Sequence, residues 1–105
     1  MTSPLVLVAN EPRSYRDTIV LALKALRPQA EVLAIEPDDL DAEVTRRRPD
    51  VAVCSQVSPT IEATVPSWVL LYPDGANMTV VSIAGERSMT ASLALDDLAD
   101  IIAPA

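Results

Sequence analysis

The sequence predicts one α/β domain in which a parallel β-α-β-α-β unit is followed by an antiparallel hairpin and a C-terminal helix. In the first half, short apolar runs alternate with segments whose apolar residues recur at helical spacing. That alternation is typical of parallel strands with right-handed crossovers. Between the last two strong strands lie the five residues Pro73 to Asn77. A parallel crossover needs a dozen or more residues, so these two strands are expected to be antiparallel.

The chain opens with a strand and a helix. Leu5–Ala9 is apolar throughout, as is typical of a strand buried on both faces of a sheet. After a turn at Asn10-Glu11-Pro12, Ser14 is expected to cap the first helix, and Pro28 stops it. Its apolar residues recur at helical spacing: Tyr15, Ile19, Ala22, Leu23 and Leu26.

A second strand and helix follow at Glu31–Ile35 and from Asp38 or Asp39, either of which is expected to cap the helix. The helix ends before Pro49, after the basic run Arg46-Arg47-Arg48. Acidic residues at its start and basic residues at its end complement the helix dipole. The basic run is therefore interpreted as helix electrostatics, with a small anion or partner site as the alternative.

The third strand is predicted at Val51–Ser55 and the fourth at Trp68–Tyr72. In the connection between them, Ser58 precedes Pro59, which indicates a capped helix of one or two turns. The remaining predicted elements are a fifth strand at Met78–Ile83, a weak sixth at Arg87–Ala91 and a helix from about Asp96.

Composition restricts the classes of partner. The 105 residues make one domain, half of them are hydrophobic, and the net charge is −7. Lys24 is the only lysine, which argues against a nucleic acid partner, because phosphate backbones are bound by aligned basic residues. The apolar runs fall far short of the roughly 20 residues of a membrane span. A cytoplasmic protein without an internal disulfide is expected from one cysteine and no apparent signal peptide.

Few catalytic chemistries are available to this composition. The chain has no histidine, which removes Ser-His and Cys-His nucleophile pairs. Gly75 and Gly85 are its only glycines, too few for a phosphate-binding loop or a dinucleotide fingerprint. Cys54 ends a buried strand and is expected to be inert packing. No catalytic residue, metal site or cofactor is predicted.

Three polar residues are expected to converge at the carboxyl ends of the parallel strands. Asn10 and Glu11 follow the first strand, and Ser55 ends the third. Ligands of open α/β sheets bind at this edge, so the three form a candidate site for a small polar ligand. The alternative interpretation is that they cap helices and turns.

The first half of the chain resembles the receiver domain of bacterial response regulators. The resemblance lies in Val8-Ala9-Asn10-Glu11-Pro12 with Arg16, and in Pro49-Asp50 before a strand that leads to Ser55, with Pro59 four residues on. It covers residues 4 to 60 and implies a three-layer, flavodoxin-like sheet. In this resemblance Ser55 takes the position of the phosphoacceptor aspartate.

Departures from the receiver pattern imply a degenerate receiver that has lost its phosphorylation switch. Ser55 replaces the acceptor, and the acidic pair that holds Mg²⁺ has become Ala9-Asn10 or Asn10-Glu11, depending on the alignment. Tyr72-Pro73 stands where a hydroxyl residue is expected, and no lysine follows Lys24. Receiver chemistry requires these groups together.

A weaker resemblance concerns the second half. The run from Val65 to Gly75, followed by a strand, Gly85 and a closing helix, is similar to the end of thioredoxin-like domains. Those domains open this strand with a cis-proline, which corresponds to Pro66. They carry a Cys-x-x-Cys motif where this chain has Arg13-Ser14-Tyr15-Arg16, and they have no strand like the one at Val51–Ser55.

The expected function is therefore a non-catalytic, receiver-like interaction module, with a small-ligand-binding domain as the alternative and an unrecognised enzyme the least favoured. Trp68, Leu70 and Tyr72 fall on one face of the fourth strand. That face is expected to lack a covering helix, and an open aromatic face is costly in a monomer. We therefore expect a homodimer, or a protein partner, through the Trp68–Ile83 hairpin.

Overall fold

A computed structural model describes residues 4–71, 79–90 and 95–102, which form one mixed α/β sheet with helices on both faces. The predicted α/β class is confirmed. In chain order the elements are β1 (Leu5–Ala9), α1 (Arg13–Leu26), β2 (Glu31–Ala34), a 3₁₀ turn (Pro37–Asp39), α2 (Leu40–Arg47), β3 (Val51–Cys54), α3 (Pro59–Thr64), β4 (Ser67–Leu70), β5 (Thr79–Ile83), β6 (Glu86–Thr90) and α4 (Leu95–Ile102).

The strand order in the sheet is β2-β1-β3-β4-β5-β6. The first four strands are parallel, with Val8 opposite Val53 and Val53 opposite Val69. β5 runs antiparallel to β4, with Leu70 opposite Val80, and β6 runs antiparallel to β5. The predicted turn at Pro73–Asn77 lies outside the described residues. β3 sits between β1 and β4, a position for which the thioredoxin-like resemblance has no counterpart.

The two faces of the sheet carry separate apolar cores, because successive side chains of a strand point to opposite faces. On one face α1 and α4 cover a core of β-branched strand residues, with Leu23 and Leu98 fully buried. On the other face α2 and α3 cover Leu7, Ala52 and Trp68. All four residues of β3 are buried, as expected for a strand covered on both sides.

Two predicted helix caps are wrong. α1 begins at Arg13 after Pro12, so Ser14 lies inside the first turn and its carbonyl accepts from Thr18 Oγ1. Asp38 and Asp39 form a 3₁₀ turn, and neither side chain caps α2. Pro12 occupies the N-cap position of α1 with extended backbone geometry, and Pro37 opens the 3₁₀ turn that precedes α2.

The cap of α3 is confirmed. Ser58 has extended backbone geometry, and its Oγ accepts from the N–H of Ile61 at 3.2 Å, with Pro59 at the first helical position. α3 also buries more than the sequence indicated, since Ile61 and the following Val65 pack into the core beside Trp68. A six-residue helix is therefore sufficient to cover the β3–β4 part of this face.

The expectation that Trp68 lies open is wrong. Its side chain is 4 % exposed within the single chain. The guanidinium of Arg87 stacks over the Trp68 ring at 5.3 Å from the centroid and also forms an ion pair with Glu62 of α3. Of the other two predicted contact residues, Leu70 is half-buried and Tyr72 lies outside the described residues.

Candidate functional site

The loops that follow β1, β2 and β3 enclose a cleft of about 180 Å³ at the carboxyl edge of the parallel strands. This is the edge at which ligands of open α/β sheets bind. The lining comes from all three loops and from the first turns of α2 and α3: Ala9, Glu11, Pro37, Asp38, Leu40, Asp41, Cys54, Ser55, Gln56, Val57, Ser58 and Ile61.

A hydrogen bond joins two of the three predicted ligand-binding residues. The backbone N–H of Glu11 donates to Ser55 Oγ at 3.0 Å, which ties the loop after β1 to the loop after β3. The Glu11–Pro12 peptide bond in this loop is cis. The Ser55 hydroxyl therefore serves as an internal acceptor, and its own proton remains available to a ligand in the cleft.

The hydroxyl of Ser58, which also lines the cleft, makes two hydrogen bonds. Its Oγ donates to Asp41 Oδ1 at 2.6 Å and accepts from the Ile61 N–H, which caps α3. The cap thus connects the start of α3 to the first turn of α2. Each of the two serine hydroxyls links neighbouring loops, which fixes the walls of the cleft relative to each other.

Carboxylates set the charge of the cleft. Glu11, Asp38 and Asp41 contribute to its lining, and among the residues described no arginine or lysine does. An anionic ligand would meet repulsion from these groups, whereas a hydrogen-bond donor or a cationic group would be attracted. The cleft is therefore suited to donors and cations and is unsuited to phosphate.

Asn10, the third predicted ligand-binding residue, is separate from the cleft lining. Its side chain is fully buried, and within the described part of the chain neither the amide oxygen nor the amide nitrogen has a hydrogen-bond partner. Thr79 Oγ1, at the start of β5, is likewise buried without a hydrogen-bond partner among the described residues. A buried polar group without a partner costs about 1–3 kcal/mol, so each of these two side chains is expected to lower the free energy of unfolding.

Arg16 is a residue whose position the sequence did not reveal. It is 4 % exposed and follows the buried stripe of α1, three and four residues before Ile19 and Val20. Its Nη1 donates to the Ile35 carbonyl at 3.1 Å and lies 3.4 Å from Glu36 Oε2. The helical spacing from Ile19 was the available signal, but an arginine is ordinarily assigned to the surface. Arg16 fixes the end of β2 against α1.

A second candidate site is the face of β4, β5 and β6 beyond Trp68. Leu70 lies opposite Val80, and Val80 lies opposite Met89, so the three side chains cross three strands side by side. We call them the apolar row. Leu70 and Val80 are half-buried, while Met89 is 65 % exposed. Such a cluster is typical of a contact surface more than of a solvated strand.

The described residues contain neither a cluster of metal ligands nor a membrane-spanning helix. In the ranges 4–71, 79–90 and 95–102, no three His, Cys, Asp or Glu side chains are grouped to hold a metal ion. Within the same ranges no helix has the length and apolar character to cross a membrane.

Comparison of the chain with protein-family models, curated proteins and solved structures finds no match.

Proposed function

We propose that this protein is a receiver-like module that does not accept phosphoryl groups and acts through protein contacts made by β4, β5 and β6. The observation that carries the proposal is the apolar row. Its three side chains are adjacent, and Met89 at its outer end is largely exposed. A contact surface would explain why Met89 is exposed directly beside the half-buried side chains of Leu70 and Val80.

The arrangement of the sheet supports the receiver-like part of the proposal. The order β2-β1-β3-β4-β5 is the one that receiver domains share with flavodoxin. Ser55 directly follows β3, where the resemblance puts the phosphoacceptor. The antiparallel β5 and the added β6 are departures, and both lie in the region that carries the apolar row.

The chemistry of Ser55 supports the loss of the switch. Receiver domains form an acyl phosphate on a carboxylate, with Mg²⁺ held by neighbouring acids. A serine offers a hydroxyl, and this hydroxyl already accepts a hydrogen bond from the Glu11 backbone. A module that acts by contact alone needs neither group. A cytoplasmic location is part of the proposal, since the single cysteine requires no oxidising compartment.

Incubation with acetyl phosphate and Mg²⁺ tests the loss of the switch. Intact-mass measurement is expected to show the unmodified mass, and sedimentation velocity is expected to be unchanged by the treatment. A stoichiometric phosphoryl adduct that is lost under mild base, as acyl phosphates are, would overturn the proposal. Ser55→Ala is the control for a phosphate ester on the serine, because such an ester is stable under mild base and is absent from this variant, whereas an acyl phosphate on a carboxylate survives the substitution.

The alternative function is the binding of a small polar ligand at the carboxyl edge of the strands. The observation that favours it is the buried, unpartnered amide of Asn10. Replacing such a group by an apolar side chain of similar shape is neutral or stabilising when the group has no other role. Asn10 directly precedes Glu11, which lines the cleft together with Ser55, so its unpartnered amide is the buried polar group that a ligand at this edge of the sheet would satisfy.

Asn10→Leu tests this alternative. The substitution is expected to raise the free energy of unfolding by about 1 kcal/mol in urea denaturation, because two orphaned polar atoms are removed. A thermal-shift screen of cationic and polar metabolites is then carried out on wild type and variant. A compound that stabilises the wild type and not the variant supports the ligand-binding function. A variant less stable than wild type would show that the amide has a structural partner.

A further inference from the structure

We propose that this protein binds a free α-amino acid, as its zwitterion, in a pocket between the start of α1 and the end of β2. The pocket has a volume of about 210 Å³ and shares no lining residue with the cleft at Glu11 and Ser55. Because β2 and β6 are the two edge strands of the sheet, the pocket lies at the opposite edge from the proposed contact surface, and the two proposals are independent. The lining residues are Arg13, Arg16, Asp17, Ala34, Ile35 and Glu36.

Arg16 supplies the group that would bind the carboxylate of the ligand. It is 4 % exposed, yet only its Nη1 makes hydrogen bonds within the described part of the chain, to the Ile35 carbonyl and to Glu36 Oε2. Nε and Nη2, on the other edge of the guanidinium group, have no partner among the described residues. Two parallel N–H donors match the two oxygens of a carboxylate. Holding the end of β2 occupies Nη1 alone and leaves this pair of donors without a role.

The acidic residues of the pocket are incompletely paired. The distance from Arg16 Nη1 to Glu36 Oε2 is 3.4 Å, and that from Arg13 Nε to Asp17 Oδ2 is 3.8 Å. The other ion pairs in the described ranges are 2.9 Å or shorter. Charge-assisted N–H···O bonds are normally about 2.7–2.9 Å long. Glu36 and Asp17 therefore retain the capacity to accept hydrogen bonds from an ammonium group.

The balance of charges selects a zwitterion over a simple ion. The lining holds two arginines and two acids. A carboxylate alone would be repelled by Glu36 and Asp17, and at long range by the net charge of −7, whereas an amine alone would be repelled by the arginines. An α-amino acid has no net charge and carries both groups on one carbon. Since a cavity of about 150 Å³ holds benzene, this pocket has room for an amino acid with a small side chain.

A matched set of three ligands tests the proposal. Alanine carries both charged groups, propionate lacks the ammonium, and ethylammonium lacks the carboxylate. In titrations of isotope-labelled protein followed by amide chemical shifts, alanine is expected to give saturable shifts in residues 13–17 and 34–36. Each single ion is expected to bind about tenfold more weakly, because it loses one charge-assisted interaction. Propionate or ethylammonium binding as tightly as alanine, or no alanine-induced shifts in these residues, would overturn the proposal.

Two substitutions assign the roles within the pocket. Arg16→Lys keeps the positive charge but loses the pair of parallel donors, and is expected to weaken alanine binding about tenfold. Since Arg16 also holds β2, Glu36→Gln is made as well, at a side chain that is 65 % exposed. It is expected to weaken alanine binding and to leave propionate at least as well bound as in wild type. Glu31→Gln, the same charge change at an exposed position of β2 outside the lining, is the matched control and is expected to bind like wild type. Equal alanine affinity of Glu36→Gln and Glu31→Gln would overturn the proposed site.

Discussion

Cys54 ends β3 with its side chain 1 % exposed, and its chemistry follows from that burial. Loss of solvation raises the pKa of the thiol from its ordinary 9.0 to about 12. The Sγ atom lies 3.8 Å from the Val69 carbonyl oxygen, to which it donates. Since the thiolate is the reactive form, the folded protein is expected to resist thiol reagents at neutral pH.

The raised pKa also predicts how stability depends on pH. Below pH 9 the thiol is protonated in both folded and unfolded chains, so its contribution is fully present. Between pH 9 and about 12 only the unfolded thiol ionises, and stability falls by up to about 1.4 kcal/mol per pH unit. Cys54→Val cannot titrate, so its unfolding free energy is expected to decline less steeply in this range. Urea denaturation at several pH values measures the difference, and parallel curves for the two proteins would contradict it.

At the residue scale, the sequence predicted the location of two of the three candidate residues, but not their contacts. Glu11 and Ser55 were expected at one edge of the sheet, and both line the cleft there. Asn10 was expected beside them, but it is buried outside the lining. The burial of Arg16 and its hydrogen bond were not expected, because its acceptor is the carbonyl of Ile35, nineteen residues away. Local periodicity carries no information about a contact of that length.

At the element scale, the hydroxyl of Ser58 fixes the start of α3. Ser58→Ala removes the cap on the Ile61 N–H and the hydrogen bond to Asp41, and is expected to lower the free energy of unfolding by about 1 kcal/mol. Ser58→Thr keeps a hydroxyl at the same position and is expected to retain most of the stability. Urea denaturation of the two variants decides the point. Equal stabilities of Ser58→Ala and wild type would show that the cap contributes nothing.

The Trp68 side chain on β4 is covered by Arg87 of β6, which is held in turn by Glu62 of α3. Trp68 is the only tryptophan, so its fluorescence reports this contact alone. Arg87→Ala removes the stacked guanidinium and is expected to shift the emission to longer wavelength and increase quenching by acrylamide. Glu62→Gln should have a smaller effect, since the arginine stays while its ion pair is lost. Arg13→Ala, at an exposed position of α1, serves as the control. If the emission spectrum of Arg87→Ala were identical to that of wild type, Arg87 would not shield Trp68 from solvent.

Elements whose signal is local were predictable, and elements that depend on distant partners were not. The apolar run Leu5–Ala9 and the Ser58-Pro59 pair identified β1 and the start of α3 without further information. The burial of Trp68 depends on Arg87 and Glu62, which are twenty-five residues apart. The sequence therefore predicted β4 but not the residues that bury Trp68.

At the scale of the whole molecule, the apolar cores on the two faces of the sheet extend over different numbers of strands. The α1/α4 core includes β-branched residues from β1 to β5, among them Val6 and Val81. On the other face the buried apolar side chains end at Trp68, and the apolar row beyond it becomes more exposed toward Met89. The row lies next to Trp68, where the sequence predicted an open face, and it is the reason why the contact function is proposed for β4–β6.

Hydrogen exchange of the wild-type protein at low and high micromolar concentration tests the contact surface without any substitution. Alternate N–H groups of an edge strand point to solvent in a monomer and exchange rapidly. Self-association through the contact surface of β4–β6 predicts slower exchange in residues 79–90 at the higher concentration, with α1 unchanged. Exchange of residues 79–90 that is independent of concentration, or protection that rises in α1 instead, would contradict association through this surface.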